Sequence, residues 1–402
     1  MPALPVPALP PYPEKMKGNA VVVSLIALLM VSSANLLHAE PTETELDGYT
    51  EPRTRTGLEE DLEEFLLTIY RDEYFRTHEV AGESMELRMP FGMNYERDAF
   101  DWTHIVYGGG RSRPEELWDY IRDVLESDAF ERYVQELSVP GPKVVHFNMP
   151  EGSWVVMTGE KLIDSMRETR YPSSVLAFIY YLKEDDRINA VDVYNYLYAV
   201  ARVGIDCVGL IYNMTRDLAE RFGLDLDEHV MESDPGIEDR ADEPEDVPIY
   251  TGLSFFDPTG PHVEEVDDLV INLRPGDLLL FKGYGDEFIH SAIIQSVDFR
   301  KGRITYYQAT DWAPLEQRGV HESTIEFDPT EPAVSLSDED LHWDKQVQPA
   351  FPGEAGPRYL QTDADRYRES EVHSGGTVVR LRTLRDLIEE REPQYYQARQ
   401  DR

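Results

Sequence analysis

The 402-residue chain has a single cysteine, Cys207, so no disulfide can form within it. Lysine is nearly as scarce, at 8 of the 38 basic residues, against 78 acidic ones and a formal net charge of −40. A surface this short of positive charge excludes binding to nucleic acid or to an anionic membrane by its general field. It suits a high-salt medium, where screening removes self-repulsion, and it equally suits any well-solvated exported protein. Beyond residue 31 no apolar run is long enough to cross a bilayer. Tryptophan is rare as well, 5 residues against 23 tyrosines, a ratio that points weakly to strands and polar clefts.

The N-terminus reads as an export signal. Lys15 and Lys17 precede an apolar stretch at 20–31, and Leu37-His38-Ala39 is an A-x-A-like cleavage site. Residues 1–39 are therefore expected to be removed, leaving an exported periplasmic or extracellular protein with no stable membrane insertion. In such a compartment a lone thiol is either inert and buried or reactive and used.

Residues 40–140 are expected to form a mostly helical N-terminal region. Leu58, Leu62, Phe65, Leu66 and Ile69 share one helical face, Ser112-Arg113-Pro114-Glu115 resembles a capping box, and 127–137 is a further helix. Gly108-Gly109-Gly110 lacks the lysine of a phosphate loop and is read as a turn. The prolines and glycine at 139–142 mark a boundary, and 141–395 is expected to be one catalytic domain. Within it 144–147 and 154–157 are strands, 173–182 and 191–200 are helices, and Asn189 is a possible cap. An acidic segment at 223–248 is expected to be a solvated, peripheral insertion. It lacks the central glycine of a calcium loop, and no metal or other cofactor is expected. Strands follow at 269–271, 278–281, 289–294 and 304–309, the last three as an antiparallel meander, then an irregular segment at 328–376, a strand at 377–381 and a helix from 383.

Chemistry concentrates around Gly204-Ile205-Asp206-Cys207-Val208-Gly209. Asp206 is placed to cap the helix that follows, putting Cys207 in its first turn, where free N–H groups and the helix dipole favour a thiolate. His290 opens an apolar strand and is read either as a satisfied core histidine or as the base for that thiol. Gln308, on a neighbouring strand, is a polar side chain in need of a partner and suits the role of fixing the imidazole tautomer.

Asp206-Cys207-Val208-Gly209-Leu210, Arg274-Pro275-Gly276-Asp277-Leu278, His290-Ser291-Ala292-Ile293-Ile294 and Tyr307-Gln308-Ala309 resemble, in order and kind, the motifs of the NlpC/P60 cysteine peptidases. The resemblance spans about 190 residues, 191–381. Val208 stands in place of a usual serine, Ala292 of a frequent glycine and Gln308 of the commonest histidine. The resemblance implies an α+β fold, a reduced papain-like domain with the nucleophile helix packed on an antiparallel sheet. It also implies amide hydrolysis through a thioester, with Cys207 as nucleophile, His290 as base and Gln308 as orienting group. Asp206 and either Tyr198 or Tyr196 would be supporting residues, the tyrosine as an oxyanion donor. The implied substrate is the peptide stem of peptidoglycan. An amidase or acyltransferase on the same scaffold, and a degenerate cell-wall-binding protein, are the alternatives.

Overall fold

The computed structural model describes residues 57–92, 112–138, 143–148, 153–157, 176–181, 188–197, 201, 203–234, 237, 243–244, 247–283, 287–310, 319–344, 347–348, 358–359, 363–370 and 373–386. All of them belong to one compact unit, Pro52–Arg402. The expected export signal, the glycine run at 108–110, the boundary at 139–142 and Tyr198 lie outside the described residues. Among the described residues no helix is long and apolar enough to cross a membrane.

The fold is α+β: helices on an antiparallel sheet. Helix α1 (Gly57–Tyr74) buries Leu58, Leu62, Leu66 and Ile69, the stripe its sequence spacing dictates. A hairpin follows, β1 (Phe75–Val80) with β2 (Glu83–Arg88). Its two-residue turn, Ala81 at φ 52° and Gly82 at φ 82°, has the positive φ values of a type I′ turn. Helix α2 (Pro114–Leu125) starts one residue later than a capping box at Ser112 requires: Arg113 is its N-cap and supplies no side-chain bond. Ser127 caps α3 (Asp128–Ser138) by accepting from the Phe130 N–H at 3.2 Å.

Strands β3 (Lys143–Asn148), β4 (Ser153–Met157) and β5 (Leu176–Tyr181) form a three-stranded antiparallel sheet in the order β4-β3-β5. Within the helix expected over 173–182, the described residues, 176–181, are thus a strand. Its apolar run is too short for periodicity to separate the two structures, and pairing with β3 decides the matter. Helix α4 (Ala190–Tyr196) carries a full capping box between Asn189 and Asp192.

Helix α5 (Cys207–Arg221) begins at the cysteine. Helix α6 (Leu226–Ser233) and the short α7 (Val247–Tyr250) come next. The acidic segment is therefore not wholly peripheral. Asp225 caps α6, Leu226 and Val230 are buried one turn apart, and buried Asp227 accepts a 2.7 Å bond from the Tyr212 hydroxyl on α5. Two apolar residues at helical spacing dock this turn of chain in spite of its charge.

The large sheet is built from β6 (Val263–Val266), β7 (Leu278–Lys282), β8 (Phe288–Asp298), β9 (Arg303–Thr310), β10 (Gly319–Glu326), β11 (His342–Trp343) and, after a small β12 (Val347–Gln348) and β13 (Arg358–Tyr359) pair and helix α8 (Asp363–Tyr367), β14 (Gly376–Leu381). Its order is β11-β10-β9-β8-β7-β14-β6, antiparallel throughout. In place of the strand expected at 269–271, Leu269 makes only an isolated bridge to Ser335, and Val270–Asn272 form a 3₁₀ turn. The Pro275-Gly276-Asp277 turn leads into β7, with Gly276 at φ 91°. Buried Asp277 accepts from Arg380 of β14 at 2.6 and 2.8 Å and from the Arg274 N–H, so the turn ties two neighbouring strands together.

Strand alternation splits the sheet into two faces. On one, Leu278, Leu280, Ile293 and Tyr307 share a core with α1 and with Leu210, Ile211, Met214 and Leu218 of α5. On the other, Leu279, Phe281, Ala292, Ile294 and Tyr306 pack with Trp343, Ala364 and Tyr367. The N-terminal α1 is part of the first core. Tyr70 stacks on Tyr307 at 3.9 Å and 3°, and Gln295 donates to the Glu63 carbonyl at 3.0 Å.

Candidate functional site

The approach to Cys207 is held by backbone contact. Phe91 forms a parallel bridge to Ile205, with Ile205 N–H donating to Pro90 O at 2.9 Å and Gly92 N–H to Ile205 O at 3.1 Å. A Cβ on Gly204 would come within 2.3 Å of Pro90 O, so only glycine allows this approach. Asp206 then caps α5 as its sequence position requires, accepting from the Gly209 N–H at 2.6 Å.

Cys207 stands in the first turn of α5, partly buried. Its Sγ lies against the hydroxyl and the backbone N–H of Ser291, next to the peptide that joins Ser291 to His290. The contact with the hydroxyl falls short of a hydrogen bond, and Ser291 Oγ is buried without a partner. Burial, and after it the Asp206 carboxylate, pushes the thiol up to about 12; the two Ser291 groups oppose this and lose. The expected thiolate is therefore absent at neutral pH. Desolvation outweighs the helix terminus, and the cap that positions the cysteine also sets a negative charge beside it.

His290 and Gln308 are brought together. His290 Nε2 donates to Gln308 Oε1 at 2.7 Å, and both side chains are buried. The Gln308 NH₂ group donates to Ser323 Oγ at 2.9 Å and to Asp363 Oδ2 at 2.7 Å. With the amide oriented this way, the ring carries its proton on Nε2 and presents a lone pair at Nδ1. Burial, helped by the Arg366 guanidinium, lowers the His290 pKa to about 4, against the pull of Asp363 and Gln308. Ring and thiol are both neutral over the physiological range.

The structure does not join the thiol to the ring. No hydrogen bond links Cys207 to His290. Ser291 pairs with Leu280 and His290 with Phe281, so the two neighbouring side chains leave β8 on opposite faces, Ser291 toward α5 and His290 toward the second core. The His290 ring packs on Phe281 at 5.2 Å. Beside His290 the β7–β8 register shifts at Phe281/Lys282, which marks this end of the strand as irregular. Tyr196 packs on Phe130 and Tyr133 at 5.0 and 4.9 Å, with its hydroxyl at Ser127, and so is engaged by α3 rather than by Cys207.

The sequence reading missed Ser291 as the neighbour of the thiol, and Ser323 and Asp363 behind Gln308. Ser291 lies in the motif His290-Ser291-Ala292-Ile293-Ile294, and period-2 alternation alone sets it opposite His290. Asp363 belongs to the segment expected to be irregular, where nothing local marks it. No family model, curated protein or solved structure matches the chain.

Proposed function

We propose that the chain is a cysteine hydrolase of amide bonds with the reduced papain-like architecture of the NlpC/P60 peptidases, acting on the peptide stems of peptidoglycan. The observation that carries this reading is the His290–Gln308 bond of 2.7 Å, which leaves the ring lone pair free one residue along β8 from the point where Cys207 Sγ rests. Because thiol and ring are both neutral at rest, the proton moves with the attack and not before it. As substrate draws Cys207 away from Ser291, the Sγ proton passes to His290 Nδ1 and sulfur bonds to the carbonyl carbon. Backbone N–H groups at the start of α5 stabilise the oxyanion, each typically worth about 10²–10³ in rate. The imidazolium returns its proton to the leaving amine, and water then cleaves the thioester. The step requires the ring to reach the thiol around the irregular start of β8, where a register shift gives the strand room to re-aim a side chain.

The opposed faces of Ser291 and His290 favour a second reading, a scaffold that binds wall peptides without cutting them. Mass spectrometry of peptidoglycan digested with the mature protein separates the two. Hydrolysis predicts new stem fragments that disappear with Cys207→Ala and with His290→Ala. Identical spectra for the wild type and both variants would leave only the binding reading.

A further inference from the structure

Gln308 has two ways to present its amide, and only one serves a base. With Oε1 toward the ring, His290 must carry its proton on Nε2, and Nδ1 is free to accept one. With the amide turned over, NH₂ would face Nε2, the ring proton would sit on Nδ1, and the lone pair would point into the core. Something must choose between the two.

Resting on the hydrolase reading above, we propose that Asp363 is a positioning residue that sets the His290 tautomer through Gln308. Its Oδ2 accepts from Gln308 Nε2 at 2.7 Å, so the NH₂ group cannot turn toward His290 without setting Oε1 against a carboxylate. The same Oδ2 accepts from the Tyr306 hydroxyl at 2.7 Å, which fixes the carboxylate over β9. Arg366, one helical turn along α8, lies 3.8 Å from Oδ1 and offsets the charge of a carboxylate that is fully buried. Ser323 takes the second N–H of Gln308 at 2.9 Å, but a hydroxyl both accepts and donates and would tolerate either orientation. Only the carboxylate, an acceptor without a proton, discriminates. The burial of Asp363, Arg366 and Tyr367 against the sheet follows: α8 is the clamp that carries the carboxylate to Gln308.

The test reads the ring rather than turnover. In protein labelled with ¹⁵N-histidine, long-range ¹H–¹⁵N correlation at pH 7 reports which nitrogen of each ring is protonated, and His290→Gln assigns the signal. The wild type is expected to show a single Nε2–H tautomer. Asp363→Asn, whose amide can turn either an oxygen or an NH₂ group toward Gln308, should lose the single tautomer in part. Asp363→Leu, with no acceptor, should give mixed tautomers or Nδ1–H. Ser323→Ala should leave the signal unchanged. If Asp363→Leu does not fold, the smaller Asp363→Ala takes its place. A folded Asp363→Leu or Asp363→Ala with an unaltered Nε2–H signal overturns the proposal, and so does a wild type that carries Nδ1–H. If the tautomer shifts as expected but no amide is ever cleaved, the hydrolase reading fails and the positioning role stands. Where cleavage is measurable, Asp363→Leu should lower kcat about 10²-fold with KM nearly unchanged.

Discussion

Cys207 shows how a helix terminus and a desolvated pocket compete. The helix dipole favours the thiolate of a residue in the first turn, but burial and, after it, the Asp206 cap beside the same sulfur both oppose it; the result is a thiol raised to about 12. Alkylation by iodoacetamide should therefore be slow at pH 6 and 7 and climb steadily to pH 10, with no plateau near neutrality. Asp206→Asn, which keeps a capping oxygen while removing the charge, should speed the reaction at pH 8. A plateau below pH 7 would show that an imidazolium partner exists after all. A second residue-scale consequence concerns His321, buried on β10 with Nδ1 on Gly319 O at 3.0 Å and Nε2 unpartnered. Burial lowers its pKa to about 4, below the unfolded value of about 6.5. A depressed histidine binds its proton more readily in the unfolded chain, so its contribution is present above about pH 6.5 and is lost as the pH falls toward 4. Asp217, raised to about 6, works in the opposite direction over part of that window, so the measurement must be a difference. Urea midpoints of wild type and His321→Gln should converge as the pH drops from 7 to 4. Parallel midpoints would mean that the ring does not titrate in this range.

At the scale of elements, the informative case is α6, because its sequence argued against it. The segment is strongly acidic, yet Leu226 and Val230 are buried against α5, and Asp227 serves both the Tyr212 hydroxyl at 2.7 Å and Arg216 at 3.7 Å, with both charged side chains only 3% exposed. Asp227→Ala would leave a buried guanidinium and a buried hydroxyl with poorer partners, a loss of about 2–4 kcal/mol by chemical denaturation. A change within about 0.5 kcal/mol would restore the view of 223–248 as a peripheral insertion. Net charge concealed this element because composition averages over faces. The elements that were legible from sequence had a signal of their own: the α1 stripe, the Asn189 cap, the Asp206 cap and the three strands of the 278–310 meander. Those that were not legible depend on distant partners. β5 is a strand because β3 lies beside it, and α8 matters because Gln308 reaches it. The candidate site divides in the same way. His290 and Gln308 could be paired from strand order, whereas the side of β8 on which each group leaves is a matter of register that only the pairing Leu280–Ser291 and Phe281–His290 reveals.

For the whole molecule the governing quantity is the net charge of −40. Two apolar cores sandwich the sheet, and α1 closes the first of them, so cohesion is distributed along the chain from Leu58 to Leu384. Against it stands the mutual repulsion of acidic side chains, which acts over roughly the Debye length, about 10 Å at 0.1 M salt and about 3 Å at 1 M. Surface ion pairs such as Arg122–Asp119 and Lys301–Asp298 weaken as salt is added, but each is typically worth under about 1 kcal/mol. Acidic residues outnumber basic ones by 78 to 38 over the chain. Thermal stability at pH 7.5 should therefore rise with KCl, steeply up to about 0.5 M and then level off, because screening saturates once the Debye length falls below the spacing of surface charges. A general strengthening of apolar burial by salt would instead keep rising with concentration and would be stronger in sulfate than in chloride at equal ionic strength. Melting followed by circular dichroism in KCl and in K₂SO₄, matched in ionic strength from 0.05 to 1 M, distinguishes the two. Coincident curves that flatten are the signature of self-repulsion. A melting temperature that is flat or falling from the lowest salt upward would show that the cores and buried ion pairs absorb the charge without assistance from the medium.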